Sequence, residues 1–475
     1  MVGPSFKNVP GTTPGTGTAT YYYPMDQSAR LVWYHDHAIG ITRTNAYSGI
    51  ASALIITDDF ESYLLSEGLL PDLVGIPLVI DDKSFFDPAN DSNYPVRDGV
   101  IDGYAKKGDL WYPWEYEKNS LLNGKGRWDY GPDVGMIPSA LALPSIAEIP
   151  EFFADTALIN GAPYPLLNVT EGTFRFRMLN GSQARFWHLN LYGEVGSTGE
   201  ANTSAPGPVM YQIGNEGGFL PAVAMHPNGI PIVLDLVGDP TGNTAIPARP
   251  FNLLLAPAER ADVLIDFTGQ SGKSFILYSD APAPFPGGDP RNDYYTGDPD
   301  FTSDALNSYG LSGGAAPTAA GSGPNTQTIM KIVVGSGTNG FVLTTAKLNA
   351  LSAALKKNFI GGNPVPPQQP PLLYPGADLA TPGLVPYMGP VDRRLTLNED
   401  FDDYGRLIQR EGTTVQLSNS FDGLNDSLGK NNQGLPTWGR GYLDLPTEIP
   451  AAGHTEVWEI YNLTGDTHPI HFHLV

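Results

Sequence analysis

Five of the eight histidines in this sequence fall in two short groups, His35-Asp36-His37 and His468-Pro469-Ile470-His471-Phe472-His473. Eight histidines placed at random in 475 positions would give about 0.1 H-x-H pairs, and two are present. On a strand, residues i and i+2 face the same side, so each pair can aim two imidazoles at one point. His468 lies beyond Pro469, which interrupts regular strand pairing and lets that ring aim elsewhere. Neutral imidazole suits Zn, Cu, Fe and Ni. A single H-x-H is as readily a pair of packed or solvated strand histidines. Two pairs, one extended to H-x-x-H-x-H, point instead to metal chemistry.

The residues around them narrow the metal class. A zinc hydrolase often adds a carboxylate and another histidine just after its H-x-H, but Ala38, Ile39, Gly40 and Ile41 offer no ligand. The Glu that a cupin-type site places a few residues on is also absent. Asp36 is expected to face away from the histidines and to hydrogen-bond rather than ligate. The sequence has no cysteine, which removes disulfides, thiolate metal sites and cysteine nucleophiles. His188 is expected as a packed strand residue, and His226 and His454 as solvent-facing residues beside turns. Trp33 and Tyr34 are expected in the core. The acidic runs 298–304 and 400–403 are expected as solvated loops.

The elements that must carry these residues are short strands. Gly 55 and Pro 44 in 475 residues, with 41% hydrophobic, 11% aromatic and only 16% charged residues, favour strands and elaborate turns over disorder. Residues 30–58 alternate and are broken by Gly40 and Gly49, which predicts two strands around a loop. A short helix with an acidic start is expected over 59–70, a strand over 76–86, and irregular chain over 87–150. From 151 onward come six or more short strands separated by turn residues, the pattern of a sandwich or barrel. Residues 344–357 read as the clearest helix, followed by a stiff proline-rich linker. GTFRFRMLNGS (172–182) and GHTEVWEIYNLT (453–464) form a faint internal repeat, each followed by an aromatic/His strand.

The net charge of −23 argues against nucleic acid or an anionic membrane surface as partner, since both need basic patches. No apolar run is long enough to span a membrane. The first residues lack a charged stretch followed by an apolar one, so they do not read as a signal peptide. Sequons at Asn90, Asn168, Asn180, Asn202, Asn425 and Asn462 are compatible with an extracellular or secreted glycoprotein.

WYHDHAIGITRTNAYSGIASALIITD and THPIHFHLV resemble the second and third copper-binding motifs of the multicopper oxidases. The likeness is greatest to the branch holding spore-coat laccase, bilirubin oxidase and phenoxazinone synthase. INGAPYP, FRFRMLNGSQARFWHL, QIGNEGGFL and LLLAPAERADVLIDF extend it over nearly the whole chain. The resemblance implies an all-β fold of cupredoxin-like Greek-key β-sandwich domains. Its expected divisions are 1–150 for the later part of domain 1 and 151–336 for a copper-free domain 2. Residues 337–388 would be a helix and proline-rich linker, and 389–475 the earlier part of domain 3.

The resemblance also implies a type 1 copper fed by a small aromatic donor and a type 2/type 3 cluster that reduces dioxygen to water. Matched by position, His35, His37 and His473 correspond to type 3 ligands, His471 to a type 2 ligand and His468 to a type 1 ligand. The family's first H-x-H-G and final H-C-H motifs are not among these residues. The expectation is therefore a laccase-like copper oxidoreductase, acting on phenolic, aminophenolic or bilinoid donors, represented by a truncated chain inactive alone. The alternatives are a non-catalytic cupredoxin-sandwich binding or structural protein with degenerate metal sites, and a mononuclear zinc enzyme.

Overall fold

The structure is a computed structural model. It describes residues 27–85, 107–111, 151, 153–232, 234–236, 245–247, 253–289, 292–299, 317–360, 390–401, 407–415, 438–440, 444–454 and 456–470, with isolated positions before 27. The described residues fold mainly as β-strands, gathered into sheets of two to eight strands.

The alternation in FRFRM explains the central layer. On the strand Thr173–Asn180, Phe174, Phe176 and Met178 point one way and Arg175 and Arg177 the other. The strand sits inside an eight-stranded sheet, between Arg260–Asp266 and β3 (Ile76–Phe85). Phe176 and Met178 meet Trp187, Leu189 and Leu191 from a second, six-stranded sheet, and these side chains form a shared core between the two layers.

β3 precedes the expected division at 150 but pairs with strands that follow it. Its residues Ile76–Ile80 pair in parallel with Phe176–Asn180, and Ile80–Lys83 pair antiparallel with Thr156–Ile159. The sandwich built by residues after 151 therefore takes a strand from the region assigned to the preceding unit. The physical reason is burial: Leu78 and Ile80, 3% and 0% exposed, belong to the central core.

The outer face of the eight-stranded sheet is covered by helices. α2 (Asp59–Ser66) begins at Asp58, whose carboxylate accepts from the Glu61 amide at 2.7 Å. α3 (Thr345–Ile360) supplies Leu351, Ala354 and Leu355, which pack with Phe60, Leu64, Ile213, Phe219 and Leu264 in a second core. No described helix is long and apolar enough to cross a membrane.

Two smaller sheets carry the histidine regions. β1 (Arg30–His35) pairs antiparallel with β2 (Ala51–Ile56), and the loop expected between them contains a short helix, α1 (Thr42–Tyr47). Toward the other end, Arg393–Phe401 pairs in parallel with Trp458–Asn462 and antiparallel with Leu407–Thr413. Residues 400 and 401 of the acidic run are thus in a strand, not a loop. Of the candidate sequons, Asn180 is fully buried and donates to the carbonyls of Arg185 and Leu255, so it offers no acceptor in the folded chain.

Candidate metal centre

β1 places Leu31, Trp33 and His35 on one face, and Leu31 is buried. The strand ends at His35, so His37 is not its same-face neighbour on a strand as the spacing predicts. A turn at Asp36 makes the pair instead. The Asp36 amide donates to the Ile50 carbonyl at 3.0 Å. Its Oδ2 accepts from the Ala38 amide at 3.0 Å and from Asn45 Nδ2 at 2.9 Å. The chain folds back, and the His35 and His37 rings come to 5.7 Å between centroids at 27°. The hydrogen bonds from Asn45 and Ala38 also hold the Asp36 carboxyl below its ordinary pKa. Asp36 thus has the hydrogen-bonding role expected of it.

His35 Nδ1 lies 2.7 Å from the Asp36 carbonyl oxygen, which can only accept, so the proton is assigned to Nδ1. Nε2 then keeps its lone pair for a metal. Trp33 leans against the same ring, centroids 4.4 Å apart, and lines the cavity beside it. Tyr34 is 55% exposed, which corrects its expected core placement: it points away from the Leu31–Trp33–His35 face.

His468 reaches this place from the far end of the sequence. It follows the strand Trp458–Asn462 through a turn in which Asn462 Oδ1 accepts from the Thr464 amide at 3.0 Å. The Thr467 amide donates to the Phe285 carbonyl at 2.8 Å and anchors the segment. A cavity of about 630 Å³ is lined by Trp33, His35, His37, Glu151 and His468, with Arg43 and Gln183 among its other walls. His471 and His473 lie outside the described residues.

Carboxylates surround His468. Its Nε2 is 3.0 Å from Asp466 Oδ1 and 3.1 Å from Glu399 Oε1. Burial alone would lower the imidazole pKa, but these neighbours outweigh it and push it up to about 10. Burial, reinforced by the negative charge of Asp466 and Glu399, pushes Glu151 up to about 8. Sequence reasoning missed Glu151 and Glu399, which reach His468 across long stretches of chain. Asp466 had a signal, its i, i+2 spacing to His468.

The remaining histidines are structural or peripheral. His188 is fully buried, with Nδ1 2.5 Å from Asp280 Oδ1, as its strand position predicts. His226 is half-buried, with Nε2 3.0 Å from Gln212 Oε1, rather than solvent-facing, because it ends a strand paired with Met210. His454 is exposed.

No family model matches the chain. It is 27% identical over 455 residues to a laccase of Bacillus stratosphericus, covering 96% of this chain and 57% of that protein. It is 26% identical over 469 residues to a laccase of Bacillus subtilis (strain 168), covering 99% and 59%. A multicopper oxidase of Arabidopsis thaliana, LPR1, is 25% identical over 467 residues, covering 98% and 51%. The chain is a relative of the multicopper oxidases. It spans between half and three-fifths of the length of these relatives.

Copper in type 1, type 2 and type 3 centres is the cofactor of the multicopper oxidases. The donor chemistry around His35 and His37 fits imidazole-bound copper: two adjacent rings on the wall of a cavity, one with its proton assigned to Nδ1 and its lone pair to Nε2. A blue type 1 centre is not matched, because it requires a thiolate and the 475 residues contain no cysteine.

Proposed function

We propose that this chain serves a laccase-like multicopper oxidase. The reaction couples one-electron oxidation of small phenolic, aminophenolic or bilinoid donors to four-electron reduction of dioxygen to water. One observation carries the reading: His35, His37 and His468, from opposite ends of the sequence, line a single cavity. The names of the relatives add support, among them a bilirubin oxidase of Albifimbria verrucaria, 28% identical over 269 residues, 56% of this chain and 32% of that protein.

In this reading His35, His37 and His473 hold type 3 copper, His471 type 2 and His468 type 1. Bound copper supplies single-electron steps that no side chain performs unaided. The chain's own residues do the positioning. Asp36 and Asn45 hold the turn between the first two imidazoles, the Asp36 carbonyl fixes the tautomer of His35, and Trp33 packs against its ring. An extracellular or secreted location belongs to the same proposal, supported by the exposed sequons at Asn168 and Asn462.

The test is copper content, visible absorption and oxygen uptake. The 475 residues should take up copper through His35 and His37 without a blue thiolate band and without turnover of a phenolic donor. Joined to a segment carrying an H-C-H motif, they should show the band and consume dioxygen. No uptake by the joined protein overturns the oxidase reading. A non-catalytic sandwich module would then be the better reading.

A further inference from the structure

We propose that the loop 280–293 is a strap by which the central sandwich sets the position of His468, with Phe285 as its positioning residue. The inference rests on the oxidase reading, which makes His468 a copper ligand, and adds the residue that places it. Among the described residues 464–470, Thr467 makes the one backbone–backbone hydrogen bond to a distant described part of the chain. Its amide donates to the Phe285 carbonyl at 2.8 Å. Consecutive Cα atoms stand about 3.8 Å apart across a trans peptide, so the place of that carbonyl sets where the His468 side chain begins.

The strap is fastened at three points. At its start, His188 Nδ1 stands 2.5 Å from Asp280 Oδ1. At its middle, the buried Phe285 ring stacks on Phe186, centroids 5.0 Å apart at 19°, in a small core shared with Ala256 and Ala281. Pro284 and Pro286 flank Phe285, and ring closure fixes one backbone torsion on either side of it. At its end, Asp293 Oδ1 accepts from Arg185 Nη1 at 2.7 Å, and Oδ2 accepts from the Ala283 amide at 2.9 Å. The Ala283 carbonyl accepts in turn from the Asp289 amide at 2.8 Å, which closes the loop on itself. All three anchors on the sandwich fall within residues 185–188.

Phe285 therefore links two parts of the molecule: its side chain packs on the sandwich and its carbonyl holds the histidine segment. The two restraints on His468 are different in kind. Asp466 and Glu399 stand at its Nε2 and restrain the ring, whereas the strap restrains the backbone that carries it. Thr467 and His468 line the 630 Å³ cavity together with Ala184, the neighbour of Arg185, so a shift of the strap is felt at the cavity wall. A metal ligand has to be held within about 0.5 Å of its productive place, which requires that its supports be locked by packing and hydrogen bonds.

Hydrogen exchange of residues 464–470 in the metal-free 475-residue chain, followed by mass spectrometry, tests the strap directly. Phe285→Ala should speed that exchange at least about tenfold. Leu254→Ala thins the same core from the neighbouring strand Leu253–Leu255 and should leave it unchanged. Unchanged exchange in Phe285→Ala, or equal acceleration in Leu254→Ala, overturns the proposal. If Phe285→Ala does not fold, Phe285→Leu, which keeps most of the volume, is compared with Leu254→Ala in the same way. In the protein joined to an H-C-H segment, Phe285→Ala should raise the copper concentration that half-develops the blue band by about 10–100-fold. A loading curve that does not move overturns the positioning role. Absence of the band from the unaltered joined protein counts instead against the oxidase reading, and the exchange comparison still decides whether the strap holds the segment.

Discussion

Glu61 Oε1 stands 2.7 Å from Arg175 Nη2, and neither side chain is exposed to solvent. The same oxygen meets Arg177, while Asp262 Oδ1 accepts from Arg175 Nε at 2.8 Å. Both guanidinium groups also donate to the Leu73 carbonyl, at 3.1 and 2.9 Å. This network ties α2 and the turn after it to the central sheet, and so fixes the path by which the chain leaves β2. Removing one member strands buried charge. Glu61→Ala should lower stability by about 3–5 kcal/mol in urea unfolding. A loss below about 1 kcal/mol would show that water or rearrangement satisfies the two arginines.

How much of this was legible in the sequence follows from range. The F-R-F-R alternation announced a strand with one apolar face, and Phe176 is fully buried in that core. The partner of the arginines was invisible, since Glu61 lies in a helix far upstream and no local pattern links the two. β3 was read correctly as a strand but placed by chain order, whereas its parallel pairing with Phe176–Asn180 is a long-range contact. The histidine pair was legible by residue type and spacing. Its geometry was not, because a side chain–backbone turn at Asp36 replaced the strand that H-x-H implies. Glu151 gave no signal, being one acidic residue among many.

That turn makes its own prediction. Asn45 Nδ2 donates to Asp36 Oδ2 at 2.9 Å, and that carboxylate holds the loop carrying His37. Asn45→Ala removes the donor without touching either imidazole. Copper affinity at His35 and His37 should fall about 10–100-fold, the usual effect of losing an outer hydrogen-bond partner. Calorimetry with Cu²⁺, alongside a thermal melt showing the chain still folded, checks it. Unchanged affinity would mean that the backbone bonds alone hold the pair.

Asp81 gives a pH prediction. Burial pushes its carboxyl up from 3.8 to about 6, despite Lys83 Nζ at 3.6 Å. With the folded pKa raised, the folded chain binds the proton more tightly than the unfolded one. This contribution to stability is fully present below 3.8 and is lost as pH rises through about 6. The shift corresponds to about 3 kcal/mol. Asp81→Asn should therefore stabilise the chain relative to the unaltered protein by more at pH 7 than at pH 4, measured by urea unfolding at both. An equal difference at the two pH values would reject the assignment.

Gly172 opens the FRFRM strand at φ +113°, a backbone region that side chains rarely adopt. Its carbonyl accepts from the Phe267 amide at 2.8 Å, and the next amide, Thr173, donates to the Phe341 carbonyl at 2.7 Å. A Cβ here would run into Asn339 Oδ1 and come within 2.9 Å of the Phe341 carbonyl oxygen. Asn339 cannot swing aside freely, since its Nδ2 donates to the Thr173 carbonyl at 2.7 Å and its Oδ1 accepts from the Phe341 amide at 3.0 Å. Gly269, at φ +74°, has nothing within 4 Å of the same position. Gly269→Ala should thus cost only the backbone strain, about 1 kcal/mol. Gly172→Ala should cost at least about twice that, because strain and collision add. Urea unfolding of the two variants separates these contributions. Equal losses would show that the Asn339 segment yields, and that the start of the central strand is held less tightly than its hydrogen bonds indicate.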